Sequence, residues 1–103
     1  MLNDADASRL KKVYLATGFT DLRRGSDGLA TIIRFQFQLD PYDKNTLFLF
    51  CGRRSDRIKG LLWEGDGFLL LYKRLDNGAF RWSRSADEAL AITPEQYRML
   101  MQG

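Results

Sequence analysis

Histidine does not occur in this 103-residue chain, and cysteine occurs once, at Cys51. Without imidazole there is no serine–histidine or cysteine–histidine catalysis and no imidazole proton shuttle. The usual zinc and haem ligand sets go with it, and neither a metal nor a cofactor is expected. A single thiol forms no internal disulfide, and a free cysteine fits a reducing compartment. Long apolar runs are missing too. Stretches such as Leu47–Cys51 stop at five residues, far short of the ~20 that span a bilayer. Met1–Ser8 is polar and acidic rather than basic and then apolar, so no secretory leader is read there. The expectation is a cytoplasmic chain with no membrane partner.

What is present suffices for a packed core. Apolar residues make up 45% of the chain and aromatic residues 13%. A domain of this size buries roughly 60–70% of its unfolded surface. Residues 1–103 read as a single domain, with 1–9 an N-terminal arm, and no repeat, linker or low-complexity stretch interrupts it. The net charge of +3 is modest, but it is unevenly placed. Cys51–Arg84 holds eight basic against four acidic residues, whereas Ser85–Gly103 holds one base and three acids. The middle is basic and the tail acidic.

The periodicities predict a small α+β fold: a mainly antiparallel sheet of about five strands, one principal helix and a short C-terminal helix. Val13–Ala16 is a first strand. Ser26 or Asp27 caps a helix from about Gly28 to Gln38, with Leu29, Ile32, Ile33 and Phe37 on one stripe that Phe35 widens. Asp40-Pro41 closes it. Leu47–Cys51, apolar throughout, reads as a strand buried on both faces. Gly65-Asp66 and Asn77-Gly78 are two-residue hairpin turns, giving a meander of Ile58–Trp63, Phe68–Leu75 and a third strand from Phe80. Thr93-Pro94-Glu95-Gln96 is a capping box with proline at the first helical position, opening a helix to about Met101.

The hairpins sort side chains onto two faces. One carries Ile58, Gly60, Leu62, Leu69, Leu71, Leu75, Phe80 and Trp82, and the principal helix is expected to cover it. The other carries Lys59, Leu61, Trp63, Phe68, Leu70, Tyr72, Arg74 and Arg81, left for the C-terminal helix, another protomer or a ligand.

Two segments carry candidate chemistry. In Asp21-Leu22-Arg23-Arg24-Gly25-Ser26-Asp27-Gly28, the arginines either pair with Asp21 and Asp27 or clamp a phosphate beside a helix start. In Arg53-Arg54-Ser55-Asp56-Arg57-Ile58-Lys59, four bases face one acid, so a solvated loop and a phosphate or guanine contact both stay open. Trp63, Phe68 and Tyr72, beside Lys59, Arg74 and Arg81, are a stacking platform, a protein interface or ordinary core. Metal-dependent nucleases need converging carboxylates. Turn positions account for most of the acids, and Asp21 with Asp27 is the best remaining pair.

Asp21-Leu22-Arg23-Arg24-Gly25, Phe48-Leu49-Phe50-Cys51-Gly52-Arg53-Arg54, Asp56-Arg57-Ile58-Lys59, Trp63-Glu64-Gly65-Asp66-Gly67-Phe68 and Leu71-Tyr72-Lys73-Arg74-Leu75 stand in family-like order and spacing. Together they resemble the small TnpB-type (Orf2) accessory proteins of the bacterial insertion-sequence family numbered sixty-six. These are unrelated to the RNA-guided nuclease that shares the TnpB name. The resemblance runs from about Val13 to Leu100. It implies a helper in transposition and DNA recombination, encoded beside a separate transposase that carries the catalytic acids, and it brings no catalytic residues to this chain. The combined expectation is a non-enzymatic accessory that binds element-end DNA, the transposase or both, with a homo-oligomer also open. Arg23, Arg24, Arg53, Arg54, Arg57, Lys59, Arg74 and Arg81 would meet DNA; Trp63, Phe68 and Tyr72 would meet protein. The alternatives are a pure protein adaptor and, less favoured, a divalent-metal nuclease.

Overall fold

In the computed structural model, which describes residues 9–85 and 87–102, the chain runs β1 (Lys12–Ala16), α1 (Ser26–Thr31), a π-helical continuation (Ile32–Gln36), β2 (Thr46–Cys51), β3 (Arg57–Trp63), β4 (Phe68–Arg74), β5 (Ala89–Ile92) and α2 (Pro94–Met101). Apart from Arg9, the expected arm lies outside the described residues. The strands form one sheet in the order β4-β3-β2-β1-β5. β1 and β2 are parallel, and the other three pairings are antiparallel. The α+β class and the mostly antiparallel five-stranded sheet agree with the sequence reading. Among the described residues no helix is long and apolar enough to cross a membrane.

β2 is buried along its whole length because it has neighbours on both edges and a layer on both faces, which is why its sequence is apolar without alternation. The β3–β4 hairpin has the expected register, with Trp63 opposite Phe68, Leu61 opposite Leu70 and Lys59 opposite Tyr72. Gly65 supplies the turn's left-handed backbone at φ 97°, which a side chain would disfavour. The capping box of α2 is complete: Thr93 Oγ1 accepts from Gln96 N, and Gln96 Oε1 accepts from Thr93 N. Buried Tyr97 anchors that helix to the sheet.

The layers are exchanged relative to expectation. Ile58, Leu71, Phe80 and Trp82 pack with Tyr97 and Leu100 of α2, whereas α1 and the π segment place Leu29 and Ile33 against Phe48, Phe50 and Leu61. The reason is the parallel β1–β2 pair. It makes α1 a crossover connection, and crossover handedness rather than hydrophobic content selects its face.

The helix is also wider than predicted and, with its π-helical continuation, begins and ends two residues earlier, at Ser26 and Gln36. Gly25, not Ser26 or Asp27, is its N-cap, with no side-chain capping bond. Its second half opens into wide turns, Phe37 N donating to Ile32 O (3.2 Å) and Leu39 N to Ile33 O (3.0 Å). Phe35 is 74% exposed and does not widen the core stripe.

The third meander strand is absent. Leu75 N donates to Asp56 O and Phe80 N to Ser55 O, both at 2.7 Å, and the Trp82 indole donates to Ala16 O at 2.9 Å. The segment from Leu75 to Arg84 therefore folds over the end of the sheet instead of pairing with β4. The remaining edge place goes to β5, antiparallel to β1.

Candidate nucleic-acid interface

β1 and β2, being parallel, end at the same side of the sheet, and their C-terminal loops meet there. Thr20 N donates to Cys51 O at 2.8 Å, which ties the first loop to the end of β2. Gly52 permits a close approach of the two loops: a Cβ there would lie 3.2 Å from Leu22 Cδ1. Between the loops and β4 lies an open cleft of about 780 Å³, lined by Phe19, Thr20, Asp21, Leu22, Arg23, Gly52, Arg53, Arg54, Arg57 and Tyr72.

The loop after β2 dictates how its arginines are displayed. Ser55 N donates to Gly52 O at 3.0 Å, closing a four-residue turn, and Ser55 takes the left-handed backbone at φ 62°. Arg53 and Arg54 are the two central residues of that turn. Central turn residues point away from the chain they reverse, and both are exposed. The Arg53 guanidinium lies 4.2 Å from the centre of the Phe19 ring, a cation–π contact. Among the described residues neither Arg53 nor Arg54 is within ion-pair distance of a carboxylate.

The other two cleft arginines are partnered. Arg23 forms a two-pronged pair with Asp21, Nε to Oδ1 at 2.9 Å and Nη2 to Oδ2 at 2.8 Å. That pairing holds the Asp21 carboxyl far below the usual carboxylate range and raises Arg23. Arg57 Nε reaches Asp56 Oδ1 at 3.1 Å, lowering Asp56 and raising Arg57, with the Tyr72 hydroxyl beside it.

The remaining sequence candidates are dispersed. Lys59 Nζ donates to Arg24 O at 3.1 Å, and Arg24 faces a smaller depression on the other side of Phe19. Arg74 stands opposite Arg57 in the β3–β4 register and continues the positive edge of the cleft. Arg81 is exposed on the segment that folds over the sheet end. The three aromatic candidates separate as well. Tyr72 lines the cleft, whereas Trp63 and Phe68 lie at the far end of the sheet, packed with Tyr42 at ring distances of 4.9 and 5.3 Å. Arg34 lies over Tyr42 at 5.6 Å.

Two residues of the site escaped sequence reasoning. Arg84 donates to Gly18 O (2.6 Å), Gly52 O (3.0 Å), Arg53 O (3.4 Å) and Ser55 Oγ, and it stands 5.4 Å from the Phe19 ring. One guanidinium therefore fastens both loops of the cleft. Phe19 is 48% exposed, a large apolar ring at the rim. Neither carries a local sequence signal, because each acts on residues that are distant along the chain.

Asp21 is committed to Arg23, and no group of three His, Cys, Asp or Glu side chains converges as a metal site among the described residues. Burial raises the Cys51 thiol, with Ser55 and Arg84 pulling the other way, so it remains protonated in neutral solution.

Comparison with known proteins agrees with the motif reading. Residues 11–103 match the family described as IS66 Orf2 like protein. The chain is 40% identical over 92 residues to the uncharacterized protein y4hO of Sinorhizobium fredii, covering 89% of this chain and 79% of that one. It is 34% identical over 96 residues to y4jC of the same organism, covering 93% and 81%. No solved structure matches. The chain belongs to the IS66 Orf2-like family of transposition-associated accessory proteins.

Proposed function

We propose that the chain is a non-catalytic, cytoplasmic accessory of DNA transposition that grips DNA backbone at the cleft where β1 and β2 end. The observation that carries the reading is the Gly52–Ser55 turn, whose two central residues, Arg53 and Arg54, are exposed with no carboxylate within ion-pair distance among the described residues. Guanidinium forks match phosphate oxygens bidentately. Arg74, opposite Arg57 in the β3–β4 register, extends the positive field along one edge, whereas Arg23 and Arg57 are balanced by Asp21 and Asp56.

Phosphate contact is sequence-independent and positions a protein on its nucleic acid. Such a role suits a helper acting beside a transposase that performs the strand chemistry. The test is equilibrium binding of element-end DNA at low salt by the Arg53→Ala/Arg54→Ala double variant. Its affinity is expected to fall at least tenfold on specific and unrelated DNA alike. Undiminished binding rejects this site.

A second reading is favoured by the Tyr42–Trp63–Phe68 cluster at the opposite end of the sheet. Clustered aromatic side chains are frequent anchors of protein interfaces. That end would meet the transposase, leaving both ends of the sheet occupied in a bridging role. Trp63→Ala is expected to weaken co-purification with the transposase while leaving DNA affinity intact.

A further inference from the structure

The cleft is concave, and half of what surrounds its arginines is not suited to a phosphate backbone. Phe19 and Tyr72 are 48% and 47% exposed, and Leu22 lies between the loops as a third apolar wall. A B-form duplex offers little to these groups. Its bases are stacked inside, and its grooves are read by a protruding helix or ribbon. Here α1 and its π-helical continuation are packed onto the sheet through Leu29 and Ile33, and the cleft recedes instead of protruding. A duplex would touch the rim at Arg53 and Arg54 and leave both rings in water.

From this geometry we infer that the cleft takes an unpaired nucleotide, with the phosphate on Arg53 and Arg54 and the base against Phe19 or Tyr72. The inference rests on the cleft being the place where the chain meets DNA. The volume, about 780 Å³, lies within the range of roughly 300–1,000 Å³ typical of small-molecule sites. Phe19 is fixed in place by its two guanidinium neighbours. Arg53 stands at 4.2 Å and Arg84 at 5.4 Å from its ring centre, and Arg84 is itself fixed by Gly18 O, Gly52 O and Arg53 O. A ring already positioned loses little freedom on binding. Combining a basic rim with exposed aromatic faces is how single strands are held without regard to sequence.

The experiment compares four probes at one ionic strength by fluorescence anisotropy: an oligothymidine strand, a blunt duplex of equal length, the same duplex with a single-stranded overhang, and an abasic single strand. The oligothymidine and the overhang duplex are expected to bind about tenfold or more tighter than the blunt duplex, the scale of one stacked base. The abasic strand, which keeps phosphates but no bases, is expected to lose that advantage. Phe19→Leu and Tyr72→Leu together should abolish the preference for the oligothymidine and the overhang over the blunt duplex. Equal or tighter binding of the blunt duplex, or an abasic strand that binds as well as oligothymidine, overturns the inference while leaving the phosphate reading standing. Absence of binding to all four probes, or binding indifferent to Arg53→Ala/Arg54→Ala, overturns the phosphate reading itself.

Discussion

At the scale of single residues, the cleft separates arginines by their company. Arg23 and Arg57 each have a carboxylate within one or two positions in sequence, and a pair that close forms in almost any loop conformation. Asp56 spends its hydrogen bonds on Arg57; Arg54 lies close enough to help lower Asp56 but, like Arg53, is not within ion-pair distance of it. The density of basic residues from Arg53 to Lys59 was legible in the chain; the allocation of carboxylates was not, because it depends on which side of the turn each side chain leaves. Arg84 was invisible as a clamp, since its acceptors Gly18 and Gly52 lie 66 and 32 positions away. Arg84→Gln is expected to lower stability by about 1–3 kcal/mol, the scale of hydrogen bonds to a charged donor, measured by urea unfolding. It should weaken DNA binding through the loops without altering the salt dependence, because its guanidinium faces carbonyls and not phosphates.

The same ion pairs fix a pH expectation. Asp21 and Asp56 titrate below their ordinary value, and Arg23 and Arg57 above theirs. A carboxyl depressed in the folded state contributes stability that is complete above about pH 4, and loses it as pH falls toward the folded value. Since both pairs are solvent-accessible, that contribution is small. With no histidine in the chain, DNA affinity at fixed ionic strength should stay flat between about pH 5.5 and about pH 8.5, the interval in which an imidazole would titrate. A binding isotherm that shifts severalfold across that interval would place a titrating group in the interface.

At the scale of elements, the parts with local punctuation were readable and the parts defined by distant partners were not. The β3–β4 hairpin follows from the Gly65-Asp66 turn between two apolar runs, and α2 follows from Thr93, Pro94 and Gln96. β5 is four residues, two of them alanine, a composition with weak strand preference; its place beside β1 is a tertiary fact. Asn77-Gly78 looked like a second hairpin turn, but burial of Phe80 and Trp82 against the α2 side of the sheet draws that segment away from β4. Thr93→Ala removes one half of the α2 cap and should cost about 1 kcal/mol, read as a lower urea midpoint with unchanged m-value. An unchanged midpoint would mean that Tyr97 alone secures the helix.

For the whole molecule, two features of opposite character occupy opposite ends of one sheet. The arginine turn and the cleft lie where β1 and β2 finish, whereas Lys11, Lys12 and the Tyr42–Trp63–Phe68 cluster lie where they begin. A net charge of +3 spread evenly would give only weak, unlocalised attraction to DNA. The most direct measurement is therefore the salt dependence of DNA affinity for wild type and two charge-matched variants, Arg53→Ala/Arg54→Ala and Lys11→Ala/Lys12→Ala. Each variant removes two positive charges. If the cleft holds phosphate, the arginine variant flattens the logarithmic slope by about 1.4–1.8, because two phosphates are no longer neutralised, and the lysine variant leaves it near wild type. Equal slopes in the two variants would show that net charge alone draws the chain to DNA and that the cleft holds no phosphate.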